Sequence, residues 1–157
     1  MNRDKPIAWL AGFFEGEGSI TLSKSGTPRG DGRYVAGNVK ISVSNTVPEL
    51  LEPFSLIYGS SVKTVRRSRH RGLSYSWVCP SVSKVKMLTD LLPYLVSVKR
   101  HKFEVALRYL PRLRGVHTSG RSPLGEVEVN RRLLIYREFY KYRDNKEVTY
   151  DRSIRST

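Results

Sequence analysis

One cysteine, Cys79, and three histidines are the whole stock of thiol and imidazole in this chain of 157 residues. A single thiol excludes an internal disulfide framework and a Cys-rich zinc site. Cys79 closes an apolar, strand-like run and reads as a small buried hydrophobe. His70, His101 and His117 lie in basic or loop surroundings without metal-ligand spacing, so zinc is not expected. Long apolar runs are also missing, since no stretch approaches the roughly 18 residues of a membrane span. The N-terminal Met-Asn-Arg-Asp-Lys-Pro has no apolar core, so a signal peptide is not expected and an intracellular setting follows, with no compartment specified. Acidic residues are scarce. Fourteen Asp and Glu face 28 Lys and Arg, a formal net charge of +14. Such an excess calls for a polyanionic partner, nucleic acid first among them, without choosing DNA over RNA or catalysis over binding. A hydrophobic fraction of 39% argues against a disordered basic tail and suits one domain with a core.

Against this background two carboxylates stand in an unusual place. Residues 10–18 read Leu-Ala-Gly-Phe-Phe-Glu-Gly-Glu-Gly. The run from Ile7 to Phe14 has helical character, and Ala8, Gly12 and Gly16 recur every fourth residue on one side of it. Leu10, Phe13 and Phe14 are free to face a core. Glu15 and Glu17 then arrive where Gly18 should stop the helix. The carboxyl end of a helix carries partial negative charge and favours Lys or Arg. Two Glu there call for a cation supplied from outside, and a divalent metal is the economical one.

The remaining pattern predicts the frame around this stretch. A helix runs from about Pro6 to Glu17, with Asp4 as its cap. Strands follow at Ser19–Ser23 and Tyr34–Ser44, separated by a Gly/Pro-rich turn. In the second, Val39, Ile41 and Val43 share one face while Asn38, Lys40, Ser42 and Ser44 share the other. Next come a helix from Pro48 to about Tyr58, ended by Gly59, and a hairpin of Ser61–Ser68 and Leu73–Cys79. Ser81 and Ser83 can cap a third helix with core positions Val82, Val85, Leu88, Leu91 and Leu92. A further helix covers about Lys99–Leu110. The last spans about Gly125–Arg143, apolar at Val127, Leu133, Leu134, Tyr136, Phe139 and Tyr140. The expected class is α+β, a four-stranded antiparallel sheet covered on one face by helices. All 157 residues are expected to form one domain, with a core of about 6–110, a helical extension of about 123–143 and a polar tail from Asp144.

Basic side chains concentrate on the two hairpins. The first carries Lys24, Arg29, Arg33 and Lys40. The second carries Lys63, Arg66, Arg67, Arg69, His70 and Arg71, with Tyr75 and Trp77 interleaved. A two-stranded ribbon fits the DNA major groove, where Arg pairs with guanine, while cations near the turns hold phosphates. The plainer alternative is a solvated strand face, since exposed edges favour charge.

Residues 10–18 resemble the LAGLIDADG motif of homing endonucleases, in a variant form with Phe-Phe and two Glu. The expected order of helices and strands also resembles the αββαββα core of that family over roughly the first 110 residues. The resemblance implies that Ala8, Gly12 and Gly16 pack against a symmetry mate, with Glu15 contributing to positioning or to the same interface; a plain structural carboxylate at the helix end is the alternative for Glu15. It implies that Glu17 binds a catalytic metal, with the Gly16 carbonyl as a second contact. The metal implied is Mg²⁺, with Mn²⁺ or Ca²⁺ able to replace it for binding. Pro93-Tyr94-Leu95…Lys99 resembles the family's Pro-aromatic-Leu stretch that leads to an active-site lysine, although the spacing is one residue longer and leaves Arg100 and Lys102 as alternatives. Asn45 resembles the position that orients water or metal; its residue type alone would suit a turn or helix cap. Only one such motif occurs. In that family this implies a homodimer that reads a pseudo-palindromic double-stranded DNA site and leaves 3′ overhangs, typically intron-encoded. Three other readings stay open: a maturase of the same fold that binds intron RNA, a non-catalytic DNA-binding regulator, and a ribosomal-type RNA-binding protein.

Overall fold

A computed structural model describes residues 4–26, 34–66, 72–113, 125–143 and 146–147. Helix α1 (Asp4–Glu17) passes directly into strand β1 (Gly18–Gly26), which turns into β2 (Tyr34–Asn45). A single 3₁₀ turn at Pro48–Leu50 leads to α2 (Glu52–Tyr58), then to β3 (Lys63–Arg66) and β4 (Leu73–Val78). Three helices complete the main chain path: α3 (Lys84–Leu91), α4 (Val98–Leu113) and α5 (Glu126–Phe139). A two-residue ribbon, β5 (Tyr142–Arg143) with β6 (Lys146–Glu147), follows α5. Among the described residues no helix is long and apolar enough to cross a membrane.

The four main strands form one antiparallel sheet in the order β1-β2-β4-β3. The period-two pattern of β2 sets its faces. Val39, Ile41 and Val43 are buried under the helices, while Lys40 on the opposite face is exposed. Registers carry this division across the sheet: Val43 pairs with Trp77, and Ser44 with Ser76, which in turn faces Lys63. Between Leu22 and Lys24 the β1–β2 register shifts by a bulge, where the Asn38 amide donates to Ser23 Oγ at 2.8 Å.

The core lies between the sheet and the helices. α1 contributes Leu10, Ala11 and Phe14, all fully buried, and Phe14 meets Phe103 of α4 edge-on at 5.3 Å. Helix α2 ends at Gly59, whose φ of +83° suits glycine, and whose N–H donates to the Ser55 carbonyl at 2.8 Å. Helix α5 packs on α4 and β2. Its end is tied to β1 by the Tyr140 hydroxyl, which donates to the Leu22 carbonyl and accepts from the Leu22 N–H, each at 3.1 Å. One phenol thus satisfies a backbone donor and a backbone acceptor on an edge strand.

Several sequence expectations change. Asp4 lies inside α1 rather than ahead of it. Val82, expected in the core, is exposed in the turn before α3, and Met87 takes a fully buried position instead. Helix α5 carries apolar residues all round, so periodicity did not settle its inner face. Val129 and Phe139 turn inward, whereas Val127 and Leu134 point to solvent. The helix also stops at Phe139, because Tyr140 is fixed on Leu22 and the chain turns into β5.

Candidate active site

The carboxyl end of α1 is where the two Glu part company. Residues two apart on an α-helix are separated by about 200°, so Glu15 and Glu17 face opposite sides. Glu15 is half-buried and Glu17 exposed. The Glu15 carboxylate accepts the backbone N–H of Val96 at 2.7 Å and that of Ser97 at 3.1 Å, both just ahead of α4. Burial pushes its carboxyl up, but hydrogen bonds from Ser97 and Val96 and the Lys99 charge outweigh this and hold it below the usual range. Glu15, expected at a dimer interface, is therefore engaged within its own chain.

Lys99 returns the contact. Its ammonium donates to the Phe14 carbonyl at 2.8 Å and to the Glu15 carbonyl, two acceptors in the last turn of α1. Burial pulls the ammonium below the ordinary lysine range; Glu15 and Glu17 oppose that pull, and Lys102 reinforces it. The alternatives to Lys99 point elsewhere. Arg100 bonds Glu104 and the Leu95 carbonyl, and Lys102 lies over the Phe139 and Tyr140 rings. Sequence reasoning missed Ser97, whose hydroxyl accepts the Lys99 N–H at 3.1 Å and caps α4. A serine just before a basic, amphipathic helix is a readable cap signal.

Glu17 has no such partner: no hydrogen bond or ion pair to its carboxylate is found among the described residues. An exposed carboxylate next to the last main-chain carbonyl of a helix is a hard-oxygen donor set that fits Mg²⁺, which needs only one or two protein carboxylates. Among the described residues no three His, Cys, Asp or Glu gather into a self-sufficient metal cluster. Ala8, Gly12 and Gly16 are exposed along one side of α1, and a Cβ added at Gly12 or Gly16 meets no atom within 4 Å. Trp9, 45% exposed, stacks on Phe13 beside this open strip at 5.3 Å. Gly18 behaves differently. A Cβ there would lie 2.3 Å from the Phe14 ring, so glycine is required for close approach and not as a left-handed cap.

No protein-family model and no curated protein matches the sequence. Solved structures do match. The archaeal intron-encoded homing endonuclease I-Vdi141I, complexed with DNA, is 18% identical, with a TM-score of 0.67 over 96% of this chain and 91% of that one. The homing endonuclease I-CvuI, in complex with the I-CreI target, is 25% identical with a TM-score of 0.52 over 71% and 69% of the two chains. I-GzeII, a LAGLIDADG homing endonuclease in complex with its DNA target, is 14% identical; its TM-score is 0.55 over 83% of this chain but 43% of that one. The chain has the LAGLIDADG homing endonuclease fold.

Within the LAGLIDADG fold, the sheet face away from the helices is open. Lys40 and Lys63 are exposed on it, flanked by Ser44 and Ser76, whose hydroxyls meet at 3.1 Å. The backbones of Lys24 and Arg66 stand in β1 and β3, but their side chains lie outside the described residues, as do Arg29, Arg33, Arg67, Arg69, His70 and Arg71 altogether. Two expectations are corrected. Trp77, expected to contact nucleic acid, is fully buried on the core face, donates from its indole N–H to the Gly59 carbonyl at 2.8 Å and lies 5.4 Å from Phe54. Tyr75 shares that inner face and packs, half-buried, against the core. Asn45 closes β2, two residues beyond the Gly18–Val43 pair and so at the Glu17 end of the sheet. Its carboxamide oxygen accepts the Val47 N–H at 3.0 Å, which gives it the turn role its residue type suggests.

Proposed function

We propose that this chain is a site-specific DNA endonuclease of the LAGLIDADG homing type, working as a homodimer with Mg²⁺. The observation that carries the reading is the exposed Glu17 carboxylate, without a bonded partner among the described residues, next in the chain to Gly16 of the open Ala8–Gly12–Gly16 strip, with the Lys99 ammonium at the same helix end. A second copy laid two-fold on that strip brings two Glu17 carboxylates together, one for each DNA strand.

Glu17 and the Gly16 carbonyl would hold the metal. When bound, Mg²⁺ supplies an activated water and charge for the leaving oxygen. Lys99 places positive charge beside the scissile phosphate. Lys40 and Lys63 neutralise phosphates on the open sheet face, and the basic residues of the hairpin sequences add to the charge, which makes affinity fall with salt. A two-fold dimer reads a pseudo-palindromic site, and cutting both strands across the minor groove leaves 3′ overhangs.

The test uses a duplex recovered from a randomised pool by binding in Ca²⁺. Wild-type protein is expected to cut it in Mg²⁺, and in neither EDTA nor the Glu17→Gln variant, which should still bind. Binding without metal-dependent cleavage would leave a DNA- or RNA-binding module in place of a nuclease. Cleavage that survives Glu17→Gln would remove Glu17 from the site.

A further inference from the structure

We propose that Glu15 is a positioning residue, which fixes the first turn of α4 so that Lys99 is delivered to the carboxyl end of α1 beside Glu17. The inference rests on the nuclease reading for its consequence, but its geometry stands apart from it.

Two helix ends meet here, each with unsatisfied backbone groups. The Glu15 side chain takes the amides of Val96 and Ser97, and the Lys99 ammonium takes the carbonyls of Phe14 and Glu15. A carboxylate thus sits at the amino end of α4 and a cation at the carboxyl end of α1, the favourable sign at both. Residue 15 takes part twice, its side chain holding α4 and its carbonyl receiving the lysine that α4 returns. The contacts form a closed loop: carboxylate to residues 96–97, Ser97 hydroxyl to the Lys99 amide, ammonium back to residue 15. Such a loop fixes the ammonium far more tightly than a lysine side chain alone, which carries large rotamer entropy. The described structure gives two acceptors to the three ammonium protons, so one donor remains for a phosphate or water oxygen. Removing Glu15 opens the loop at its start, and Lys99 loses its fixed position without any change in its own chemistry.

The test combines two measurements on the full chain. In the metal-free, DNA-free protein, the Lys99 side-chain ammonium signal in ¹⁵N-lysine NMR is expected to exchange slowly with water. It should be lost to fast exchange in Glu15→Ala and kept in Glu15→Gln, whose carboxamide oxygen still accepts both amides. In single-turnover cleavage of the pool-derived duplex, Glu15→Ala and Lys99→Met should each lower the rate by on the order of 10²-fold while changing affinity little. The double variant should fall no further than Lys99→Met, because one residue acts through the other. Glu15→Gln should recover about tenfold over Ala by keeping a neutral acceptor. The cycle is run with Gln as well as Ala, so a misfolded alanine variant does not end it.

Multiplicative losses in the double variant would overturn the proposal, as would an unchanged Lys99 signal in Glu15→Ala. A Glu15→Gln variant as inactive as Ala, with its Lys99 signal intact, would make Glu15 a metal ligand instead. If wild type cuts nothing, the nuclease reading fails, and the ammonium signal alone decides the positioning role.

Discussion

Gly12 and Gly18 stand six residues apart in the same motif, yet a methyl group added to each should act in opposite directions. At Gly12 a Cβ meets nothing within 4 Å. Gly12 lies inside α1, where Ala is preferred over Gly by about 0.8–1 kcal/mol, so Gly12→Ala should stabilise the isolated chain by roughly that amount. At Gly18 the Cβ would enter the Phe14 ring, with three ring carbons at 2.3–2.5 Å. Phe14 is fully buried and braced by Phe103, so the ring has nowhere to retreat. Gly18→Ala should cost about 1–3 kcal/mol, as overpacking of a filled core does. Association should move the other way. If a second copy closes on the Gly12 strip, two methyl groups enter one seam. At about 1 kcal/mol each, the dimer dissociation constant should rise roughly 30-fold. Urea unfolding at low protein concentration reads the first pair of effects, and sedimentation equilibrium reads the last. An unchanged dimer in Gly12→Ala would refute the seam. An unchanged urea midpoint in Gly18→Ala would refute the close approach that joins α1 to β1.

Two further predictions concern the packing around the site. Tyr140→Phe removes the hydroxyl that pairs with both backbone groups of Leu22 and should cost about 1–3 kcal/mol in urea unfolding, with faster hydrogen exchange at the Leu22 amide. Unaltered exchange there would mean that β1 does not depend on α5. Cys79 is buried, and burial pushes its thiol up to about 12, an effect that nearby Lys84 only partly offsets. It should resist a thiol reagent at pH 8 until urea unfolds the chain, since the thiolate is the reactive form; rapid labelling of native protein would contradict the packing of β4 and α3.

Much of the frame was legible because it rests on short-range pattern. The alternation in β2 identified its buried and open faces, since a strand with one face on a core must change polarity at every residue. The same rule applies to β4. Ser74-Tyr-Ser-Trp alternates small polar with large residues, and the large Tyr75 and Trp77 belong on the buried face, while Leu73 at the start of the strand stays exposed. Five basic residues just upstream place Tyr75 and Trp77 among the expected DNA contacts. The register settles it, because Trp77 sits opposite Val43, whose side is already the core side. Helix α5 failed for the converse reason: apolar residues surround it, and only contacts with Leu22 and α4, distant in sequence, select the inward stripe.

The pair of Glu at the end of α1 was the most informative sign in the sequence, and the structure divides its meaning. A helix end rich in negative charge calls for a cation. The chain supplies one itself, Lys99, 84 residues beyond Glu15, and aims it at the main-chain carbonyls rather than at either carboxylate. Glu15 is answered by two backbone amides just ahead of α4, which take up its carboxylate. Only Glu17 is left exposed, with a charge that the helix end does not neutralise and no bonded partner among the described residues. The proposed metal therefore has one candidate carboxylate instead of two. One carboxylate is too few to hold Mg²⁺ firmly, since the ion also draws on substrate phosphate oxygens. Metal affinity should consequently depend on DNA and on a second copy being in place, which ties chemistry to assembly on the target.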